Sequence, residues 1–309
     1  MITFDKLKIV TDIEDLTIVD ESAFRKVIDK GIVSTLIYHS EKFYLLHVKV
    51  DYLNKEAVIE FTGKILGKEY PKLISIDTIR QCIGNINALG FCVVNVEAIL
   101  EHGQVVSCDV TKDVRCEDVP KFCSFVRAHI SNYNQFKCTL LRNGNLTIEK
   151  NVTSTKFKKR MVVYDKAREM AKAVNREFVE SSGLEGEFDG MCRFEINLNS
   201  KEQIRSALGI TDNRLISVLT SSANPIGDFV KQVVTFDSGS TICDSLKTEM
   251  RLLLLKDCDY DLAKVEARIR AYDKHGNIKQ NLAPFRALYE SVCAQENAGM
   301  VIDVIDRLA

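Results

Sequence analysis

Three short segments of two-residue alternation, each running into a helical pattern, constrain this chain more than any other feature. Residues 105–111 put Val106, Cys108 and Val110 on one side and Ser107, Asp109 and Thr111 on the other. Residues 160–164 oppose Met161 and Val163 to Arg160, Val162 and Tyr164, and residues 191–198 oppose Cys192, Phe194, Ile196 and Leu198 to Arg193, Glu195 and Asn197. Successive side chains on a strand point to opposite faces, so each segment has one apolar and one polar side. Helical patterns follow at about 117–133 and 165–181 and again beyond residue 198. An antiparallel sheet with helices mainly on one face, leaving the polar face open, satisfies all three segments.

The remaining chain fits an α+β protein. Residues 34–39, 43–50 and 57–61 read as a meander rich in β-branched and aromatic residues, and 76–89 reads as a helix. The middle helix carries Ala167, Met170, Ala171, Val174 and Phe178 at helical spacing, a stripe expected to pack on the sheet. Beyond about Ser200 the pattern becomes helical, with helices expected at 244–255, 262–272 and 283–294. This divides the chain into a 1–200 α+β domain and a 201–309 helical region. No catalytic motif falls in the second part, so DNA recognition, dimerisation to a homodimer or scaffolding are the roles left to it.

Composition narrows the classes. A chain of 309 residues that is 46% hydrophobic can bury a substantial core and is too apolar for a disordered protein. Its ten cysteines are scattered without any C-x-x-C pair, as expected of reduced, buried thiols rather than a zinc module. The opening Met-Ile-Thr-Phe-Asp-Lys lacks a secretory pattern, and no apolar run approaches the roughly 20 residues of a membrane span. A cytoplasmic protein with no membrane contact is the expectation. A net charge of −1 argues against a general nucleic-acid binder, so any DNA contact must be local. The basic run holding Lys156, Lys158, Lys159 and Arg160 suits either a phosphate track or a charged sheet edge.

If the three strands are neighbours, one open face presents Asp109, Tyr164, Arg193 and Glu195. Two carboxylates suit a hard divalent cation, a phenol can act as nucleophile, and a guanidinium suits a phosphate. The five histidines are isolated and form no metal motif, and the second Tyr272-Asp-Lys274 follows a helix with no Arg-Phe-Glu downstream.

The combination Val163-Tyr-Asp-Lys166, then Arg193-Phe-Glu195, with an upstream strand ending Cys108-Asp-Val-Thr-Lys-Asp113, resembles the replication initiators of rolling-circle plasmids and filamentous phages, the Rep_trans-type and gene II or CRI-type proteins. The resemblance is clearest over residues 89–208. It implies a site-specific, metal-dependent nickase that cuts and rejoins one DNA strand through a 5′-phosphotyrosine. In that reading Tyr164 is the nucleophile, Lys166 supports it, Arg193 contacts phosphate, and Asp109 and Glu195 hold Mg²⁺ or Mn²⁺, with Asp113 and Asp165 as further acidic candidates. The implied partners are replication-origin DNA, single-stranded or extruded as a hairpin, and a host helicase and polymerase. The alternative is a non-enzymatic origin-binding initiator or segregation protein whose sheet face is structural. A nucleotide phosphodiesterase is a third reading, and it would leave no protein–DNA adduct.

Overall fold

The alternating segments pair with one another. In a computed structural model, residues 2–308 are described apart from 41, 43, 129–134, 153–158, 234–244, 259–260 and 273–275, as are the side chains apart from those of 125, 128 and 293–302 as well. The strands are β1 (Phe4–Asp12), β2 (Leu16–Ile18), β3 (Arg25–Asp29), β4 (Ile32–His39), β5 (His47–Asp51), β6 (Glu56–Thr62), β7 (Cys92–Val94), β8 (Gln104–Arg115), β9 (Phe136–Leu140), β10 (Leu146–Lys150), β11 (Arg160–Asp165) and β12 (Met191–Leu198). Ten of them form one antiparallel sheet in the order β3-β4-β5-β6-β1-β8-β12-β11-β10-β9, while β2 and β7 pair separately. The order reads the same from both edges. Each half is a first strand followed by a four-strand meander whose last member returns beside the first, and β1 and β8 join the halves antiparallel.

The register sets the chemistry. β12 lies between β8 and β11, so Arg193 faces Asp113 on one side and Tyr164 on the other, while Asn197 faces Asp109 and Arg160. The opposite face carries Cys192, Phe194, Ile196 and Leu198, all buried. Phe122 of helix α3 (Val119–Ala128) meets Phe194 edge to face, and Phe229 of a later helix does the same with Phe136 of β9. Edge-to-face contact is the favoured geometry for such rings. α1 (Ile79–Asn87) precedes β7, and α2 (Val96–His102) lies between β7 and β8, capped by the Asn95 side chain accepting from the Ala98 N–H. The described cysteines other than Cys138 are buried, and burial pushes the Cys82 and Cys92 thiols up to about 12.

The structure departs from the sequence reading in four places. The N-terminal segment forms β1, one of the two central strands. The strand expected at 105–111 extends to Arg115, which places Asp113 in the ladder. The middle helix is two helices, α4 (Lys166–Met170) and α5 (Ala173–Ser182), because Lys172 is extended at φ −63 and ψ 146. The break rotates the second half, so Met170 and Phe178 are buried but Val174 is 75% exposed. α5 ends on Gly183 at φ 64, the left-handed conformation that glycine adopts without a side-chain clash.

The chain falls into two compact units, Met1–Val234 with Ile305–Ala309, and Thr235–Val304. The division lies beyond the expected position near Ser200, since helices α6 (Lys201–Leu208), α7 (Leu215–Leu219) and α8 (Pro225–Val233) belong to the first unit. The second unit contains α9 (Leu246–Asp257), α10 (Leu262–Tyr272) and most of α11 (Ile278–Asp306), with a core of Leu255, Cys258, Val265, Leu282, Phe285 and Leu288. Among the described residues no helix is long and apolar enough to cross a membrane.

Candidate active site

Strand alternation puts Tyr164 and Glu195 on the same face of β11 and β12, one diagonal step apart. The Tyr164 hydroxyl donates to Glu195 Oε1 at 2.6 Å. Tyr164 is 8% exposed, and burial followed by the Glu195 charge pushes its phenol well above the ordinary tyrosine value. Burial and then the Asp5 carboxylate raise Glu195 to about 7, against the pull of Arg193. The pair therefore keeps its proton on the phenol at neutral pH, beside a carboxyl group held at about 7, the range in which a side chain can serve as a general base.

Arg193 occupies a different place from the one expected. It is fully buried, at 0% exposure, and is the largest wholly buried side chain. Its Nε and Nη2 donate to the two oxygens of Asp113, both at 2.7 Å, and Nη1 donates to Asp5 Oδ1 at 3.0 Å and to the Tyr70 hydroxyl at 2.7 Å. Tyr70 in turn donates to Asp5 at 2.8 Å. Burial opposes the guanidinium charge, but Tyr70, Asp5 and Asp113 together hold it firmly protonated. Burial likewise pushes Asp5 up, and Arg193, Lys166 and the Tyr70 hydroxyl outweigh it. A guanidinium so engaged is not free for a phosphate; it ties β1, β8 and β12 together beside Tyr164.

Lys166 is also interior, at 1% exposure, because Asp165 caps α4 by accepting from the Arg168 N–H and directs the next side chain inward. Its Nζ donates to Glu169 Oε2 at 3.1 Å and lies 5.2 Å from the Tyr70 ring and 5.7 Å from the Tyr164 ring. A cation over two aromatic faces is attracted by both. Glu169 is held by Asn175, which also accepts from Lys64 at 2.7 Å. Lys166 thus stands beside Tyr164, against the ring rather than the hydroxyl.

Asp109 shares the face and accepts from Asn197 Nδ2 at 2.8 Å, with burial raising its carboxyl. Its register partner is Asn197, two residues from Glu195, so the two carboxylates stand diagonally, roughly 7–8 Å apart at the backbone. That donor set fits a hard cation that keeps several waters and takes one or two carboxylates, as Mg²⁺ does. Among the described residues no group of three His, Cys, Asp or Glu side chains is placed to hold a metal. Asp165 is spent on the helix cap.

The basic run divides. Lys156 and Lys158 lie outside the described residues. Arg160 is on the open face, paired with Glu149 at 3.5 Å, whereas Lys159 lines a small cavity on the helix-bearing side with Lys150 and Asp228. No signal in the sequence pointed to Asp5, Tyr70 or Lys64, which come from remote segments and meet the site only through the fold. Comparison with protein-family models, with curated proteins and with solved structures finds no match to this chain.

A carboxyl held near 7 inside a fold opposes folding once it must ionise. Its contribution is fully present below the ordinary carboxylate range, declines as pH rises from there, and levels off above about 7. Glu195→Gln is thus expected to stabilise the protein at pH 8, on the order of 1–3 kcal/mol, and to change little at pH 4. Urea unfolding in EDTA at both pH values measures this; equal effects at the two would remove the assigned shift.

Proposed function

We propose that this chain is a replication initiator of a plasmid or phage, an enzyme that nicks and rejoins one strand of origin DNA through Tyr164. The observation that carries the reading is the 2.6 Å hydrogen bond from the Tyr164 hydroxyl to Glu195 on a polar sheet face shared with Asp109. In the forward step Glu195 takes the phenol proton as Tyr164 Oη bonds to phosphorus and the bond from phosphorus to the 3′ oxygen breaks. The products are a 5′-phosphotyrosine and a 3′ end that leaves as a hydroxyl, the proton that Glu195 took from the phenol passing on to the departing oxygen. Rejoining is the reverse attack by a 3′-hydroxyl, and it needs no ATP because the phosphodiester energy stays in the covalent bond. A Mg²⁺ or Mn²⁺ would be held by Asp109, with Glu195 as its second carboxylate only while ionised, and would supply charge neutralisation at the phosphate. Arg193 and Lys166 act as positioning residues, the first bracing the strands and the second packing against the Tyr164 ring. Origin DNA in single-stranded or hairpin form, a host helicase and a host polymerase are the partners this activity calls for.

A second reading, a non-enzymatic origin-binding initiator, draws on the burial of Tyr164 and the full engagement of Arg193. One assay separates the two. A labelled origin oligonucleotide incubated with the protein and Mg²⁺ or Mn²⁺ is expected to yield a nick and an SDS-resistant adduct, both lost in EDTA. Binding without any adduct, across cleavable origin substrates, would favour the second reading.

A further inference from the structure

The helical unit is finished on one side and open on another. On α9, Leu252, Leu254 and Leu255 pack with the unit's own core, which includes Val265 and Leu282. Leu246, Met250 and Leu253 do not take part: they are 73%, 63% and 60% exposed. Their spacing, i, i+4, i+7, aligns them in one stripe along the helix, and Asp257 continues it by four. This is the alternating three-and-four spacing of a coiled-coil seam. A helix buried along one side and carrying a second apolar stripe on the other has more apolar surface than its own unit uses.

The charges beside the stripe indicate what covers it. Glu249 and Lys256 lie seven residues apart, two turns, on the same flank of the seam, and neither makes an ion pair among the described residues. If a second α9 is laid antiparallel across the first, Met250 of each copy meets Leu253 of the other. The same register brings Glu249 of each copy within side-chain reach of Lys256 of the other, about two residues from directly opposite, so each apolar contact and each charge pair occurs twice; at the two ends it sets Leu246 against Asp257, which is paired with Arg268. Such two-fold self-complementarity is what an isologous interface requires.

We infer that α9 is a homodimer contact, with a second copy of this chain packed antiparallel on Met250 and Leu253 and Leu246 at the rim. The inference is independent of any nicking activity. A three-turn helix covers less than the roughly 1,200–2,000 Å² of a stable interface, so the dimer forms in a concentration-dependent way, with a dissociation constant of about micromolar order. Sedimentation velocity on the full chain from about 1 to 100 µM is expected to show a shift from monomer to dimer. Met250→Lys is expected to weaken the dimer at least about tenfold without loss of helicity, since the side chain is exposed in the monomer. Glu249→Lys is expected to weaken it as well, and Glu249→Lys combined with Lys256→Glu to restore it, a rescue that a merely misfolded variant could not show. A chain that stays monomeric at 100 µM, or a dimer unmoved by Met250→Lys and by the charge exchange, overturns the proposal.

Discussion

On the proposed reading, Tyr164→Phe is expected to abolish both the origin nick and the SDS-resistant adduct, by at least about four orders of magnitude in rate, as when a covalent nucleophile is removed. The change deletes one oxygen and keeps the ring, so its packing with Lys166 and the register against Arg193 remain. Folding should be nearly intact, with origin binding retained. Glu195 loses a hydrogen-bond donor at the same time. Tyr272 supplies the internal control: it is 92% exposed on the helical unit, far in sequence from any Arg-Phe-Glu, and Tyr272→Phe should leave the adduct unchanged. Mass spectrometry of the trapped adduct decides between them. A phosphonucleotide on another tyrosine would relocate the active site.

Asp113→Ala is expected to destabilise the protein by about 3–5 kcal/mol, the magnitude seen when one partner of a buried ion pair is removed. Arg193 would lose both oxygens of its bidentate partner while remaining in the interior, with only Asp5 and Tyr70 to satisfy it. The loss of a buried pair is severe because the remaining charge cannot reach water. Asp109→Asn is the contrast. Its carboxyl is disfavoured by burial and accepts one hydrogen bond from Asn197, which an amide oxygen can also accept, so stability should change by less than about 1 kcal/mol. Denaturant titrations of the two variants would settle the difference. Similar losses at Asp109 and Asp113 would mean that Arg193 does not depend on its salt bridge as described.

The two substitutions also separate activity from architecture. A nickase that loses activity in Tyr164→Phe at full stability has its chemistry at the hydroxyl. A loss of activity in Asp113→Ala that tracks unfolding, and returns when the temperature is lowered, belongs to the bracing of β8 and β12.

Short-range periodicity determined the elements and the facing of their side chains. The alternation in residues 105–111, 160–164 and 191–198 placed Asp109, Tyr164 and Glu195 on one polar face because the two-residue repeat of a strand leaves no other arrangement once the apolar residues are buried. Local rules also carried the helix after Asp165, whose side chain caps it. Tertiary structure decided which distant groups meet that face. Asp5 and Tyr70 come from β1 and the segment Gly63–Lys72, and nothing near them in sequence marks them as partners of Arg193. Arg193 alternates with Glu195 as a solvated pair would, yet it is enclosed because Tyr70 and Asp5 cover it, and the burial of a long polar side chain depends on such covering residues rather than on its own period. The stripe through Val174 failed for a related reason: an extended Lys172 breaks the helix, and a single backbone turn changes the phase of every later residue. The end of the first unit at Val234 instead of near Ser200 was likewise set by packing, since α6 to α8 read as ordinary helices and only their contact with the sheet assigns them to it.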